Sequence, residues 1–95
     1  MKLPKLTEAL LTLSACNGGI NRDRPEEQVA REIDLFLKQY TEEYDLPAIE
    51  EWLGTLTPAE IETMVDGEET EAREITDRGP PKVEDLITKY FEEVC

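Results

Sequence analysis

The feature that most constrains the fold is a run of apolar residues with helical spacing in the middle of the chain. From position 29 onward, apolar side chains recur at intervals of four, three, one, three and four residues. This spacing places them along one face of an α-helix. A strand would need alternating apolar and polar residues, and no segment of the chain alternates in this way. The stripe consists of Val29, Ile33, Phe36, Leu37, Tyr40 and Tyr44.

Helix start and stop signals flank this stripe on its N-terminal side. Residues 4–16 have a broad apolar side and predict a first helix, which residues 17–19 (Asn-Gly-Gly) end, because glycine accepts the left-handed conformation that closes helices. Asp23 with Glu26 three residues later resembles a capping box and predicts the start of the long second helix.

Further signals follow in the second half of the chain. Asp45 is the predicted cap of a third helix that Gly54 ends. Thr57, with a proline after it and Glu60 in the capping-box position, predicts the start of a fourth. Residues 68–78 have only two apolar side chains, so they are either an exposed helix or a mobile acidic segment.

A break and a last helix complete the pattern. Residues 79–81 (Gly-Pro-Pro) must interrupt any helix, and residues 83–94 again show helical spacing. We therefore predict an all-α fold, a single acidic domain over residues 1–95 built as a bundle of about four to six short helices. The residues expected to be largely buried are Val29, Ile33, Phe36, Leu37, Tyr40, Leu86, Ile87 and Phe91.

The charge is distributed very unevenly along the chain. Residues 1–41 carry six Lys and Arg against six Asp and Glu, whereas residues 42–95 carry four against seventeen, which accounts for the whole net charge of −13. Such a field repels phosphate and anionic membranes and attracts basic surfaces. We therefore expect no direct binding to nucleic acid or membrane, and a partner with a basic surface. The self-repulsion also predicts that added salt stabilises the fold.

Residue types needed for common catalytic sites are missing. The chain has no histidine, the most frequent general base near neutral pH and the commonest transition-metal ligand, and no glycine-rich phosphate loop. A calcium-binding loop counted from Asp66 would place Glu71 where glycine is required and Asp77 where glutamate is required. We expect no enzyme activity, no cofactor and no specific metal site.

Two cysteines, Cys16 and Cys95, are too few for a disulfide scaffold. We favour two reduced thiols in a cytoplasmic protein, with a bridge between them as the alternative.

Residues 13–16 (Leu-Ser-Ala-Cys) resemble the lipobox of bacterial lipoproteins, but the preceding segment contains Lys5 and Glu8, which a signal-peptide core should not contain. A lipidated periplasmic protein remains a third hypothesis, which the mass of the native protein would settle.

The acidic second half is the one feature that could carry function. From position 60 to 77 a single base, Arg73, accompanies eight carboxylates. Residues three or four apart on a helix lie about 5–6 Å apart, similar to neighbouring phosphates of a nucleic acid strand, so Glu62, Asp66 and Glu69, or Glu68 and Glu71, could imitate a backbone. The candidate partner-binding residues are Glu60, Glu62, Asp66, Glu68, Glu69, Glu71 and Glu74.

In size, charge and lack of catalytic residues, the chain resembles small acidic helical proteins encoded by phages, including DNA mimics and anti-CRISPR inhibitors. The resemblance rests on composition over residues 42–77 and implies an inhibitor that occupies a basic nucleic-acid-binding surface. Two other interpretations stay open. The carboxylates could simply be a solvated surface, or the protein could be a small adaptor or regulatory subunit whose contacts centre on exposed apolar residues near Leu46, Trp52, Leu53 and Leu56.

Overall fold

The computed structural model describes residues 3–94, and within that range it contains helices and no strand. The all-α prediction of a small single domain with about four to six helices is confirmed. The Cα radius of gyration is 12.4 Å, close to the value of about 12 Å expected for one compact domain of this length. The helices are α1 (Pro4–Cys16), α2 (Glu26–Gln39), α3 (Leu46–Leu53), α4 (Pro58–Asp66), α5 (Glu69–Asp77) and α6 (Val83–Glu93).

Two of the three predicted helix caps are present. The side chain of Asp45 accepts a hydrogen bond from the backbone N–H of Ala48 at the start of α3. At the start of α4, the backbone N–H of Thr57 donates to Glu60 at 2.9 Å and the backbone N–H of Glu60 donates to the Thr57 hydroxyl at 3.2 Å. The sequence alone was sufficient here because both partners of each cap are local.

The predicted capping box at Asp23 is wrong. Helix α2 begins at Glu26 after Pro25, which has extended backbone angles, and no side chain caps it. Asp23 lies too early in the chain to reach the first turn. Its own backbone N–H and that of Arg24 instead donate to the side chain of Asn21, at 2.9 and 3.1 Å, so this segment forms an Asx-type turn before the helix.

Helix α1 is central to the fold, since it packs against α2, α3 and α4, while α5 joins α4 to α6. A buried hydrogen bond within the core joins α1 to α6, which are far apart in the sequence. Ser14 of α1 and Tyr90 of α6 are both buried, and their hydroxyl groups share a hydrogen bond of 2.5 Å. The Tyr90 ring also meets the Phe36 ring edge to face, with centroids 5.3 Å apart, a favourable aromatic geometry.

The predicted core is largely confirmed on α2 but shifted on α6. Tyr40 and Ile87 are only half-buried, and Phe91 is 48% exposed, so the prediction that Phe91 is buried is wrong. The core-facing line of α6 runs through Val83, Leu86 and Tyr90, and Phe91 is turned away from it by about 100°, one residue along a helix. The predicted residues that are buried are Val29, Ile33, Phe36, Leu37 and Leu86.

The acidic segment and the proline break take definite structures. Residues 68–78 contain helix α5, anchored by buried Ile75 and Thr76, so the alternative of a helix is confirmed. In the turn after α5, a Cβ added at Gly79 would lie 2.7 Å from the Trp52 ring. The chain therefore needs glycine there to pass close to the indole.

Among residues 3–94, no helix has the length and apolar run of a membrane span.

Candidate acidic interface

Glu60 is a structural residue as well as an acidic one. In addition to the capping box with Thr57, its carboxylate accepts a hydrogen bond from the Arg78 guanidinium at 3.2 Å. The hydrogen bond from the Thr57 backbone, followed by the contact with Arg78, holds the pKa of Glu60 below its usual value. Arg78 thus ties the end of α5 to the start of α4. Glu60 stays ionised, but its charge is partly compensated by Arg78.

Glu62 and Asp66 lie one turn apart on the side of α4 that faces α1. Both are exposed. Asp66 lies beside the Cys16 thiol, which is exposed. Local desolvation, a hydrogen bond with Asp66 and the negative charges of Asp66 and Glu62 raise the pKa of this thiol. The raised pKa lowers the fraction of reactive thiolate near neutral pH. Its predicted alternative partner, Cys95, lies outside the described residues.

The turn between α4 and α5 separates carboxylates that the sequence placed on one helical face. Helix α4 ends at Asp66, Gly67 and Glu68 are extended, and α5 begins at Glu69. A Cβ at Gly67 would lie 2.5 Å from the Thr63 carbonyl oxygen, so this close turn depends on glycine. The predicted row of Glu62, Asp66 and Glu69 on a single helix is therefore wrong.

Glu69 belongs to a small ion-pair network on the side of α5 that faces α6. Its carboxylate is 2.8 Å from the guanidinium of Arg73, one turn later in the same helix. Arg73 also lies 4.0 Å from Glu84 at the start of α6. One arginine thus serves two carboxylates, which leaves this flank negatively charged although it is partly neutralised.

Glu68, Glu71 and Glu74 form the most open part of the acidic surface, and we call these three residues the α5 acidic row. They are spaced three residues apart, and all are exposed. Between residues 3 and 94, the salt bridges involve other carboxylates, and no member of the row takes part in one. Glu71 and Glu74 are held on α5, and Glu68 has extended backbone angles immediately before its first turn.

The seven predicted contact residues therefore do not form one patch. The structure divides them into the α4 pair of Glu62 and Asp66, the network around Glu69, the α5 acidic row, and Glu60, which caps α4 and binds Arg78. Within residues 3–94, no group of three or more Cys, Asp and Glu side chains is arranged to hold a metal ion.

Other carboxylates outside the candidate set hold helices together. The Tyr40 hydroxyl donates to Glu93, which raises the pKa of Tyr40 to about 12. Tyr44 donates to Asp85, and its burial together with this bond raises its pKa further. These contacts join the end of α2 and the following turn to α6. They depend on pairs more than forty residues apart, and no local sequence signal identifies them.

Two of the four apolar residues considered for an adaptor surface are part of the core. Leu46 and Leu53 are 0% and 1% exposed, so the prediction that they are exposed is wrong. Trp52 and Leu56 are half-buried, and the Trp52 indole covers Gly79. Exposed apolar side chains are found elsewhere: Leu35 is 67% exposed on α2 and Phe91 is 48% exposed on α6.

A groove of about 800 Å³ runs between α1 and α2, and its lining includes Leu3, Leu11 and Leu37. None of the seven candidate carboxylates lines it. The groove and the acidic interface are therefore separate features.

No protein-family model, characterised protein sequence or solved structure matches this chain. The functional argument consequently rests on the geometry and charge of the molecule itself.

Proposed function

We propose that this protein is an acidic inhibitor that binds the basic nucleic-acid-binding surface of a protein or nucleoprotein complex. The observation that carries the proposal is the α5 acidic row: three exposed carboxylates, Glu68 at the N-cap of α5 and two within it, without an ion pair within residues 3–94. Like charges one turn apart destabilise a helix by about 0.2–0.5 kcal/mol per pair. A binding role accounts for retaining them.

Geometry supports mimicry of a phosphate backbone. Residues three apart on a helix place their Cβ atoms about 5–6 Å apart, so Glu71 and Glu74 present charges at a spacing close to that of neighbouring phosphates. The α4 pair, Glu62 and Asp66, offers a second spacing of the same kind. A helix holds these charges without the entropy loss that ordering a flexible acidic tail would require.

The proposal includes a mode of action without catalysis. The protein contains no histidine, and its carboxylates are distributed over several separate groups. Inhibition would follow from occupying the groove that nucleic acid needs, in the manner of the phage-encoded acidic proteins that this chain resembles in composition. The proposed location is the cytoplasm, the proposed partner surface is rich in Lys and Arg, and no cofactor is involved.

The adaptor alternative receives less support, because Leu46 and Leu53, two of its four central residues, are in the core. Ionic strength separates the two functions. Binding through carboxylates should weaken steeply as salt rises, whereas binding through an apolar surface should change little.

The direct test replaces Glu68, Glu71 and Glu74 with glutamine. The substitution keeps side-chain size and helix propensity nearly constant, and these residues are preferred over Glu69 because Glu69 is already paired with Arg73. The partner is first captured on the immobilised wild-type protein from a lysate of the native host and identified by mass spectrometry. Its affinity for purified wild-type and substituted proteins is then measured.

We expect the triple substitution to weaken binding by more than about tenfold, roughly 1.4 kcal/mol, mainly through slower association at low salt. The matched control removes three exposed carboxylates elsewhere, Glu27→Gln, Asp34→Asn and Glu42→Gln, and should weaken binding far less. Equal effects of the two triple variants would show that only net charge matters. Undiminished binding by the α5 variant, or a partner that does not bind nucleic acid, would contradict the proposal.

A further inference from the structure

Phe91 is an exposed aromatic side chain on α6, the helix that packs against α5. Its neighbour in the sequence, Tyr90, occupies the core position of α6, which leaves Phe91 48% exposed. Ile87, four residues earlier on the same face of α6, is half-buried. These two side chains extend the apolar surface of α6 outward from the core, towards the flank where α5 lies.

A small crevice adjoins this apolar surface. It has a volume of about 100 Å³ and lies between α4, α5 and α6, with Met64, Ala72 and Ile87 in its lining. This is the space of about three water molecules, enough for the end of one aliphatic side chain. Phe91 does not line the crevice itself, but it lies one turn beyond Ile87 on the same face of α6, so both side chains can contact one apolar group at the edge of the crevice.

The rim of the crevice is negatively charged. Glu69, Arg73 and Glu84 also line it, and the single arginine lies 2.8 Å from one carboxylate and 4.0 Å from the other. A second copy of this chain would bring like charges together at this rim, and each copy has a net charge of −13. The surroundings therefore favour a cationic occupant.

We propose that Ile87, Phe91 and the adjoining crevice, here named the Phe91 site, bind an apolar side chain carried by a basic segment of the partner protein. The inference rests on the proposed function, and it adds that recognition has two parts. The carboxylates attract and orient the basic segment, while the Phe91 site supplies the desolvated aromatic contact that typically dominates the lifetime of a complex. A bare nucleic-acid-binding surface without an apolar side chain would then bind more weakly.

The test uses two synthetic peptides of equal length and equal lysine number, each with a fluorescent label. In one peptide leucine separates the lysines on one helical face, and in the other serine takes every leucine position. Affinities are measured by fluorescence anisotropy at physiological ionic strength. We expect the wild-type protein to bind the leucine peptide at least about fivefold more tightly than the serine peptide.

Phe91→Ser should remove this preference while leaving the affinity for the serine peptide unchanged. The matched control is Leu35→Ser, which removes the other large apolar side chain that is exposed among residues 3–94, on α2, and should leave the preference intact. Because both positions are solvent-exposed, neither substitution should lower the melting temperature strongly, and circular dichroism checks this.

The outcomes separate this inference from the proposed function. If the wild-type protein shows no preference for leucine, or if the preference survives Phe91→Ser, the Phe91 site is not an apolar docking site. Loss of the preference in Leu35→Ser would equally overturn it. The triple substitution of the α5 acidic row should weaken binding of both peptides. If it changes neither affinity while Phe91→Ser still removes the leucine preference, the acidic contact fails and the Phe91 site stands.

Discussion

Replacement of Glu50 with alanine should destabilise the fold far more than its place on an acidic surface suggests. Glu50 lies on α3, yet its two carboxylate oxygens accept hydrogen bonds from the backbone N–H groups of Lys5 and Leu6, at 2.9 and 2.8 Å. These N–H groups are in the first turn of α1, where no partner exists within the helix. The cap residue before α1, Leu3, has no side chain that could accept them. Glu50 therefore caps the central helix from a distance.

The magnitude follows from what the substitution leaves behind. The N–H of Lys5 is exposed and water can replace the carboxylate, but the N–H of Leu6 is partly buried, and an unsatisfied buried donor costs about 1–3 kcal/mol. Loss of an N-terminal cap costs about 0.5–2 kcal/mol in other helices. We expect a loss of about 2 kcal/mol, and for a domain of this size a fall in melting temperature of about 8–16 °C.

Thermal unfolding followed by circular dichroism provides the assay, and Glu51→Ala is the control. Glu51 is the next residue on α3 and is exposed, so the control removes the same charge and makes the same change in helix propensity. Glu50→Gln should be intermediate, because its amide keeps one acceptor oxygen but presents a donor to the second N–H. If Glu50→Ala and Glu51→Ala unfold at the same temperature, the cap contributes nothing and the reasoning is refuted.

Two further predictions concern charge. Because the pKa of Glu60 is lowered in the folded protein, its stabilisation is present above its unfolded pKa of about 4.3 and is lost as pH falls through the lower folded value. The difference in melting temperature between wild type and Glu60→Gln should thus be largest near neutral pH and vanish in strong acid; a difference independent of pH would contradict the ionic contribution. For the wild type, raising salt from low to moderate concentration should raise the melting temperature, because screening weakens repulsion among residues 42–95. An unchanged or lower value would mean that the carboxylates are already paired or well separated.

Composition predicts that the candidate interface is acidic. It does not predict which carboxylates cap helices, which form ion pairs and which face solvent. In the sequence, Glu50, Glu60 and Glu71 are three glutamates of the same acidic half of the chain. In the structure the first caps α1, the second caps α4 and binds Arg78, and the third faces solvent. Only the second has a sequence signal, the threonine three residues before it, because only that contact is local.

The exposure of Phe91 likewise could not be predicted from the sequence. Helical spacing identifies α6 but leaves adjacent apolar residues such as Tyr90 and Phe91 equally plausible as core residues. Tyr90 is buried because its ring packs on Phe36 of α2 and its hydroxyl reaches Ser14 of α1. Those partners are set by how three helices meet, which periodicity along one helix does not contain.

The sequence by itself determined most of the helices, most of their ends and the net negative charge. Amphipathic spacing, local caps and proline or glycine breaks act over a few residues, and net charge is a sum that does not depend on folding. Tertiary structure alone decided which apolar side chains remain outside the core, which carboxylates are used as caps or ion pairs, and which remain free to meet a partner. Each of those outcomes depends on contacts between residues far apart in the chain, such as Glu50 with Leu6 or Ser14 with Tyr90, and these contacts exist only once the helices have packed.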